Sequence, residues 1–163
     1  MKLPNWLRDR LDRWATRVVL SRDADFVLAD EERIYMLRWH VIPPNPVFSL
    51  YVHMLCDSDI GRDMHDHRSA TLSVILRGGY LEWVPWNIDT FTAGYRGRRG
   101  INRSAGDVVV RGPRAPHILE VDPSNVALTL FATGPTVRRW GFWTDDGWVR
   151  HDLYLAAQKS GAK

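Results

Sequence analysis

Two histidines separated by a single aspartate, His65 and His67, are the residues whose type and spacing point most directly to chemistry. Side chains two apart on a β-strand share a face, so both imidazoles can turn toward one ion while Asp66 points away. Imidazole nitrogen suits Zn, Fe, Ni, Cu and Mn, and a third ligand from another strand would complete a facial set that leaves coordination positions open. His117 is the best third ligand. It opens an expected strand directly behind the stiff turn Gly112-Pro113-Arg114-Ala115-Pro116, which would fix where its ring points. A His-x-His pair alone is common on exposed strands, so it is the third histidine that turns the pair into a candidate site for one divalent metal ion.

Other side chains carry chemistry of their own. His53 shares strand parity with Tyr51 and Leu55 and enters a barrel interior if that face is the inner one, where it could steer a proton; a core or surface position is the plainer alternative. Arg38 and His40 share a face in the same way, lining either a cavity or a subunit contact. Arg111 and Arg114 flank the strand of His117 and could clamp a carboxylate or phosphate. Tyr80, Trp83 and Trp86 could wall a pocket for a small apolar or planar substrate, with core packing the alternative for each.

These residues sit in a chain that reads as almost entirely β after its first 30 positions. Trp6, Leu7, Leu11, Trp14, Val18 and Val19 recur at helical spacing, predicting an amphipathic helix over Trp6 to Leu20. An acidic connector, Asp23 to Glu32, leads to a strand over Ile34 to Ile42 that is stopped by Pro43 and Pro44. Further strands are expected over Phe48 to Leu55, His65 to Leu76, Tyr80 to Val84, Asp107 to Arg111, His117 to Val121 and Ala127 to Ala132. Gly/Pro/Asp-rich breaks separate them. Many short strands with regular turns indicate a sandwich or closed barrel. Pro85 to Ala105 is the longest weakly patterned stretch and is expected to be a loop or hairpin serving as a lid. An aromatic segment, Trp140, Phe142, Trp143 and Trp148, should cover a barrel edge, followed by a short helix from His151 to Ala157.

Composition narrows the function classes. With 163 residues, 45% hydrophobic and 25% charged, the chain has the make-up of one globular domain and not of a disordered tail. No apolar run approaches the roughly 18 residues of a membrane helix, and no signal-peptide pattern opens the sequence, so the expected location is cytoplasmic. A single cysteine, Cys56, excludes an internal disulfide and a Cys-rich zinc site. The net charge is +3, and the arginine cluster of Arg96, Arg98, Arg99, Arg103, Arg111 and Arg114 is expected to be a solvated face; no nucleic-acid-binding motif accompanies it.

The region from Gly61 to Val121 resembles the two sequence motifs of the cupins. The first pairs a glycine with His-x-His, a glutamate and a closing glycine, matched here by Gly61, His65, His67 and Gly79. The second runs from a glycine through a proline-containing turn to a histidine eleven positions on, matched by Gly106, Pro113 and His117. The glutamate places of the first motif hold Thr71 and Leu72, so the resemblance is to the three-histidine branch, whose familiar members are thiol dioxygenases. The chain is also similar to small bacterial and phage-borne cupins of unassigned function, which share a tail matching Trp140 to Phe142 and Gly147 to Val149.

The resemblance implies an all-β fold. Residues 31–150 would form a cupin double-stranded β-helix, a jelly-roll barrel, with residues 1–30 as a helix and connector packed on it and 151–163 as a short helical tail. It implies a metal held by His65, His67 and His117. Glu82, where cupin enzymes often place a pocket-facing carboxylate, would be a fourth ligand, a general base or a solvent-facing strand residue. The expected function is an Fe(II)-dependent non-haem oxygenase acting on a small molecule, with Glu82 or His53 steering a proton. The alternatives are a Zn, Ni or Mn isomerase, lyase or hydrolase, and a non-catalytic ligand-binding module. A homodimer, with Trp6 and Trp14 at the contact, follows from the same analogy.

Overall fold

A computed structural model describes residues 1–30, 32–59, 63–86 and 97–159. Helix α1, Asn5–Ser21, precedes strands β1 (Phe26–Ala29), β2 (Ile34–Ile42), β3 (Ser49–Leu55), β4 (Met64–His65), β5 (Thr71–Arg77) and β6 (Gly79–Pro85). Strands β7 (Arg98–Ser104), β8 (Val108–Arg111), β9 (Ile118–Glu120), β10 (Ala127–Thr133), β11 (Gly141–Thr144) and β12 (Gly147–Arg150) follow, and α2, His151–Lys159, ends the described chain. Among the described residues no helix is long and apolar enough to cross a membrane.

The strands build two facing layers of a jelly roll. One is a six-stranded sheet ordered β1-β2-β3-β10-β5-β8. The other consists of two three-stranded sheets, β12-β11-β4 and β7-β6-β9, joined by an antiparallel bridge between His65 and His117. The amide of His65 donates to the carbonyl of His117 at 2.9 Å, and the amide of His117 donates back at 3.0 Å. Two of the three candidate ligands therefore form the seam of the second layer.

Alternation along the six-stranded sheet divides its side chains between two environments. Trp39, Val52, Val74, Leu76 and Leu128 face outward onto α1, whose Ala15 is fully buried against them with Leu11, Val18 and Val19 around it. A small residue at that position lets the helix approach the sheet closely, while Trp6 and Trp14 remain exposed. The opposite parity faces the barrel interior. Register places Arg38 beside His53, His40 beside Tyr51, Tyr51 beside Phe131, and Phe131 beside Ser73.

Two expectations are corrected. The strand expected from His65 to Leu76 is two strands in different layers: β4 ends at His65, residues 66–70 cross between layers, and β5 starts at Thr71. The crossing is stabilised because the backbone there bonds to other segments, Asp66 N–H to the Gly141 carbonyl at 3.0 Å and His67 N–H to the Pro113 carbonyl at 3.2 Å. The acidic connector contains β1, which pairs with β2 through Phe26 and Arg38. Of the two alternatives for Pro85 to Ala105, loop or hairpin, the described part fits the hairpin: β7 pairs antiparallel with β6 along its length; the remainder of the expected lid, 87–96, lies outside the described residues.

The β5–β6 turn that brings Glu82 inward depends on glycine. Gly78 has φ +66°, and a Cβ there would lie 2.2 Å from the Val126 carbonyl oxygen.

Candidate metal centre

His65, His67 and His117 converge, each able to offer a ring nitrogen within 4.8 Å of the others. Their ring centroids are 4.7 to 5.2 Å apart. His65 comes from β4, His67 from the start of the crossing segment, and His117 from the residue before β9. The shared-strand argument for His65 and His67 thus gives way to a bend. What keeps His67 turned inward is the hydrogen bonding of the crossing segment and not strand alternation.

The donor arrangement fits a cation. Glu82, 1% exposed, lies 2.8 Å from Nδ1 of His117 through Oε1. An ionised carboxylate only accepts, so Nδ1 of His117 carries the proton and its Nε2 presents a lone pair. That Nε2 is 2.8 Å from Nε2 of His67. Two lone pairs cannot face each other at this distance without a proton or a metal ion to share. Burial, and then neighbouring positive charge, holds both imidazoles well below the ordinary histidine range. They are therefore neutral and ready to ligate at neutral pH. Three imidazoles with open positions suit a divalent transition metal.

Glu82 itself stands behind His117 and outside the cluster of ligands. Its Oε2 accepts from Nε of Arg103 at 2.7 Å, and its Oε1 also pairs with Arg111. Arg111 is thereby engaged in orienting a ligand and is not a free clamp for substrate. Arg114 is exposed and lines an outer cleft of about 430 Å³ with Pro113, Val137 and Arg138. A second outer cleft of about 380 Å³ runs along Tyr80, Arg103 and Asp122. None of the three histidines lines either cleft. Tyr80 is buried with Ile75, Val109 and Val121, and burial pushes its hydroxyl up to about 12. Trp83 lies on the opposite face of β6 from Glu82, its indole N–H donating to Glu120 at 2.8 Å with Arg98 stacked over the ring. Trp86 is 73% exposed.

His53 lies inside the barrel, 4% exposed, between the rings of Tyr51 (5.7 Å) and Phe131 (4.8 Å). Its Nε2 accepts a hydrogen bond from Nε of Arg38 at 2.8 Å, and burial with the adjacent guanidinium keeps the ring neutral. Phe131 stands between it and His67, 6.4 Å from the latter, so His53 does not touch the candidate ligands. Arg38 stacks over Tyr51 at 4.7 Å and has no carboxylate partner among the described residues; burial and Arg68 both disfavour its charge.

Asp59 and Phe131 had no sequence signal in the residue itself, whereas Trp140 and Phe142 belong to the aromatic segment expected to cover a barrel edge. Asp59 faces Nδ1 of His65 at 3.6 Å, with burial raising its carboxyl. Phe131, Trp140 and Phe142 supply the apolar walls around His67 and His65. Glu82 was signalled by its place after the Gly78-Gly79 turn, where the cupin resemblance puts a pocket-facing carboxylate.

No protein-family model and no curated protein sequence matches the chain. Solved structures do match. A mannose-6-phosphate isomerase-like protein of Ralstonia eutropha superposes with a TM-score of 0.50 at 8% identity, over 69% of this chain and 94% of that one. The Fe(II) form of HppE superposes with a TM-score of 0.50 at 10% identity, over 66% of this chain and 55% of that one. HppE is the hydroxypropylphosphonic acid epoxidase of S. wedmorenis. The match thus spans about half the length of HppE. A cupin superfamily protein of Desulfitobacterium hafniense is similar at a TM-score of 0.43 and 15% identity, over 66% of this chain and 83% of that one. The chain has the cupin jelly-roll fold, and in it the three histidines occupy the barrel as a candidate metal centre.

Proposed function

We propose that the protein is a metal-dependent cupin enzyme in which His65, His67 and His117 hold one Fe(II) ion for the oxygenation of a small molecule. The observation that carries the reading is the alignment of the Nε2 atoms of His67 and His117, with Glu82 fixing the proton on the far side of His117. Three histidine ligands would leave up to three positions for a chelating substrate and dioxygen, and the bound metal would supply that redox and Lewis-acid chemistry.

The chain's own residues have definable tasks around it. Glu82, Arg103 and Arg111 hold the tautomer and orientation of His117. Phe131, Trp140 and Phe142 exclude water beside His67 and His65. Arg38, half-buried without a carboxylate partner among the described residues and fixed by His53 and Tyr51, supports a substrate bearing a carboxylate or similar anionic group. A Lewis-acid isomerase using Zn, Ni or Mn is the second reading, supported by the isomerase-like neighbour, whose chain is covered almost completely.

Elemental analysis of protein purified without chelator, joined to oxygen uptake by anaerobically Fe(II)-loaded protein with a panel of small acids, separates the two. Stoichiometric iron with substrate-dependent oxygen consumption is expected. Zinc at one per chain with no uptake by the iron-loaded protein would overturn the oxygenase reading.

A further inference from the structure

Asp66, which the strand argument turns away from the metal, is fully buried and accepts more hydrogen bonds than any side chain among the three histidines. Its Oδ1 accepts from Gly141 N–H at 2.9 Å, and its Oδ2 accepts from the indoles of Trp143 at 3.1 Å and Trp148 at 3.0 Å. Nη1 of Arg138 reaches Oδ2 at 2.6 Å. The same Nη1 lies 3.1 Å from the carbonyl of Pro113 and 3.5 Å from the carbonyl of His67 itself. Pro113 O is also the acceptor for His67 N–H. His65 and His117 hold each other by a reciprocal backbone bridge, but His67 lies beyond β4 and has no ladder partner. Both of its backbone polar groups therefore converge on Arg138 and Pro113, and Arg138 is held by Asp66.

We propose that Asp66 and Arg138 are positioning residues that fix His67 as a metal ligand, making the β11–β12 hairpin a working part of the metal centre. The inference rests on the metal reading above for its consequence, while its geometry stands on the protein's own contacts. The charge pair is well suited to the task. Its acid is wholly buried, and its short charge-assisted contact leaves little freedom in the 66–70 crossing. Arg138 also stacks over Trp148 at 5.3 Å, so hairpin and clamp reinforce one another. Gly141 completes the fit: a Cβ there would lie 2.2 Å from the Val149 carbonyl oxygen and 2.8 Å from the Trp148 ring. The Trp-Gly-Phe and Gly-Trp-Val segments thus acquire a physical task, donating to the residue between two ligands.

The test is a mutant cycle read by Co(II) affinity, the visible spectrum of the Co(II)-loaded protein, and amide hydrogen exchange at His67 in the metal-free protein. Arg138→Met and Asp66→Asn are expected to weaken Co(II) binding about 10- to 100-fold and to shift the Co(II) bands. In a His67→Ala background Arg138→Met should cost no further affinity, whereas in a His65→Ala background it should cost its full factor. Val52→Ala, which opens a cavity in the core beneath α1 and touches neither hairpin nor clamp, serves as the control for a general stability loss and should leave the spectrum unchanged. Equal losses in both histidine backgrounds, or a spectrum moved as much by Val52→Ala as by Arg138→Met, would overturn the proposal. Wild-type protein that binds no Co(II) but has a protected His67 amide, unprotected by Arg138→Met, would overturn the metal reading and support the clamp.

Discussion

Replacing Glu82 by glutamine probes the difference between a ligand and a residue that orients one. The carboxylate is 1% exposed and has three partners: Nδ1 of His117 at 2.8 Å, Nε of Arg103 at 2.7 Å, and Arg111. Glutamine keeps an acceptor for His117 but removes the charge and turns an amide N–H toward a guanidinium. Breaking a buried ion pair from one side costs about 3–5 kcal/mol. Arg103 and Arg111 retain side-chain exposures of 22% and 11%, so water can partly replace the carboxylate and the lower end, about 3 kcal/mol, applies. For a chain of this size that corresponds to a melting temperature lower by roughly 6–12 °C.

Metal affinity should fall about 10- to 100-fold, the range for losing the partner of a ligating histidine. Glu82→Ala, which removes the acceptor as well, should fall at the far end of that range. Competition with a chromophoric chelator gives the affinity, and thermal melts of metal-free protein give the stability. Two results would refute the reasoning. One is complete loss of metal by Glu82→Gln, matching His117→Ala, which would make Glu82 a ligand. The other is wild-type affinity, which would mean that the bond to His117 does not set its tautomer.

Three further outcomes are expected. His53, His67 and His117 are held below the ordinary value of 6.5 in the fold, so on acidification the unfolded chain takes up protons that the native chain refuses. The metal-free protein should therefore lose stability as pH falls below 6.5, by up to about 4 kcal/mol per pH unit for three such groups, until the folded-state values are reached. Urea titrations from pH 7.5 to roughly 5 check this, and a flat profile would contradict it. Chelation of metal-loaded protein held at about a hundred times its dissociation constant should remove about 2.7 kcal/mol, lowering the melting temperature by roughly 5–11 °C; His67→Ala should show no such response. Arg38→Met should weaken binding of small carboxylates such as propionate by about 10- to 100-fold while leaving metal stoichiometry intact, measured by calorimetry. Equal binding of propionate and neutral propionamide by the wild type would remove that role from Arg38.

Much of the barrel was legible without coordinates because strand alternation and turn residues are local signals. Helix α1 follows from the spacing of Leu7, Leu11, Val18 and Val19, and most strands fall between breaks marked by glycine, proline or aspartate. β1 escaped, and β7 was reached only as one arm of the hairpin alternative for Pro85 to Ala105, because their sequences carry no alternation. β1 is exposed throughout, and β7 is mostly charged or glycine; both are strands because a neighbour supplies the ladder.

The identity of the three histidines was likewise available from residue type, spacing and family resemblance. Their relation to one another was not. Strand parity assigned His65 and His67 a common face for a reason the fold does not use, since β4 stops between them. Whether Glu82 ligates or orients, whether Arg111 meets substrate or carboxylate, and whether Asp66 idles or holds the centre together depend on contacts across 35, 29 and 72 residues of sequence separation. A carboxylate's role is set by which cation folding brings to it, and that is decided by the packing of one layer on the other.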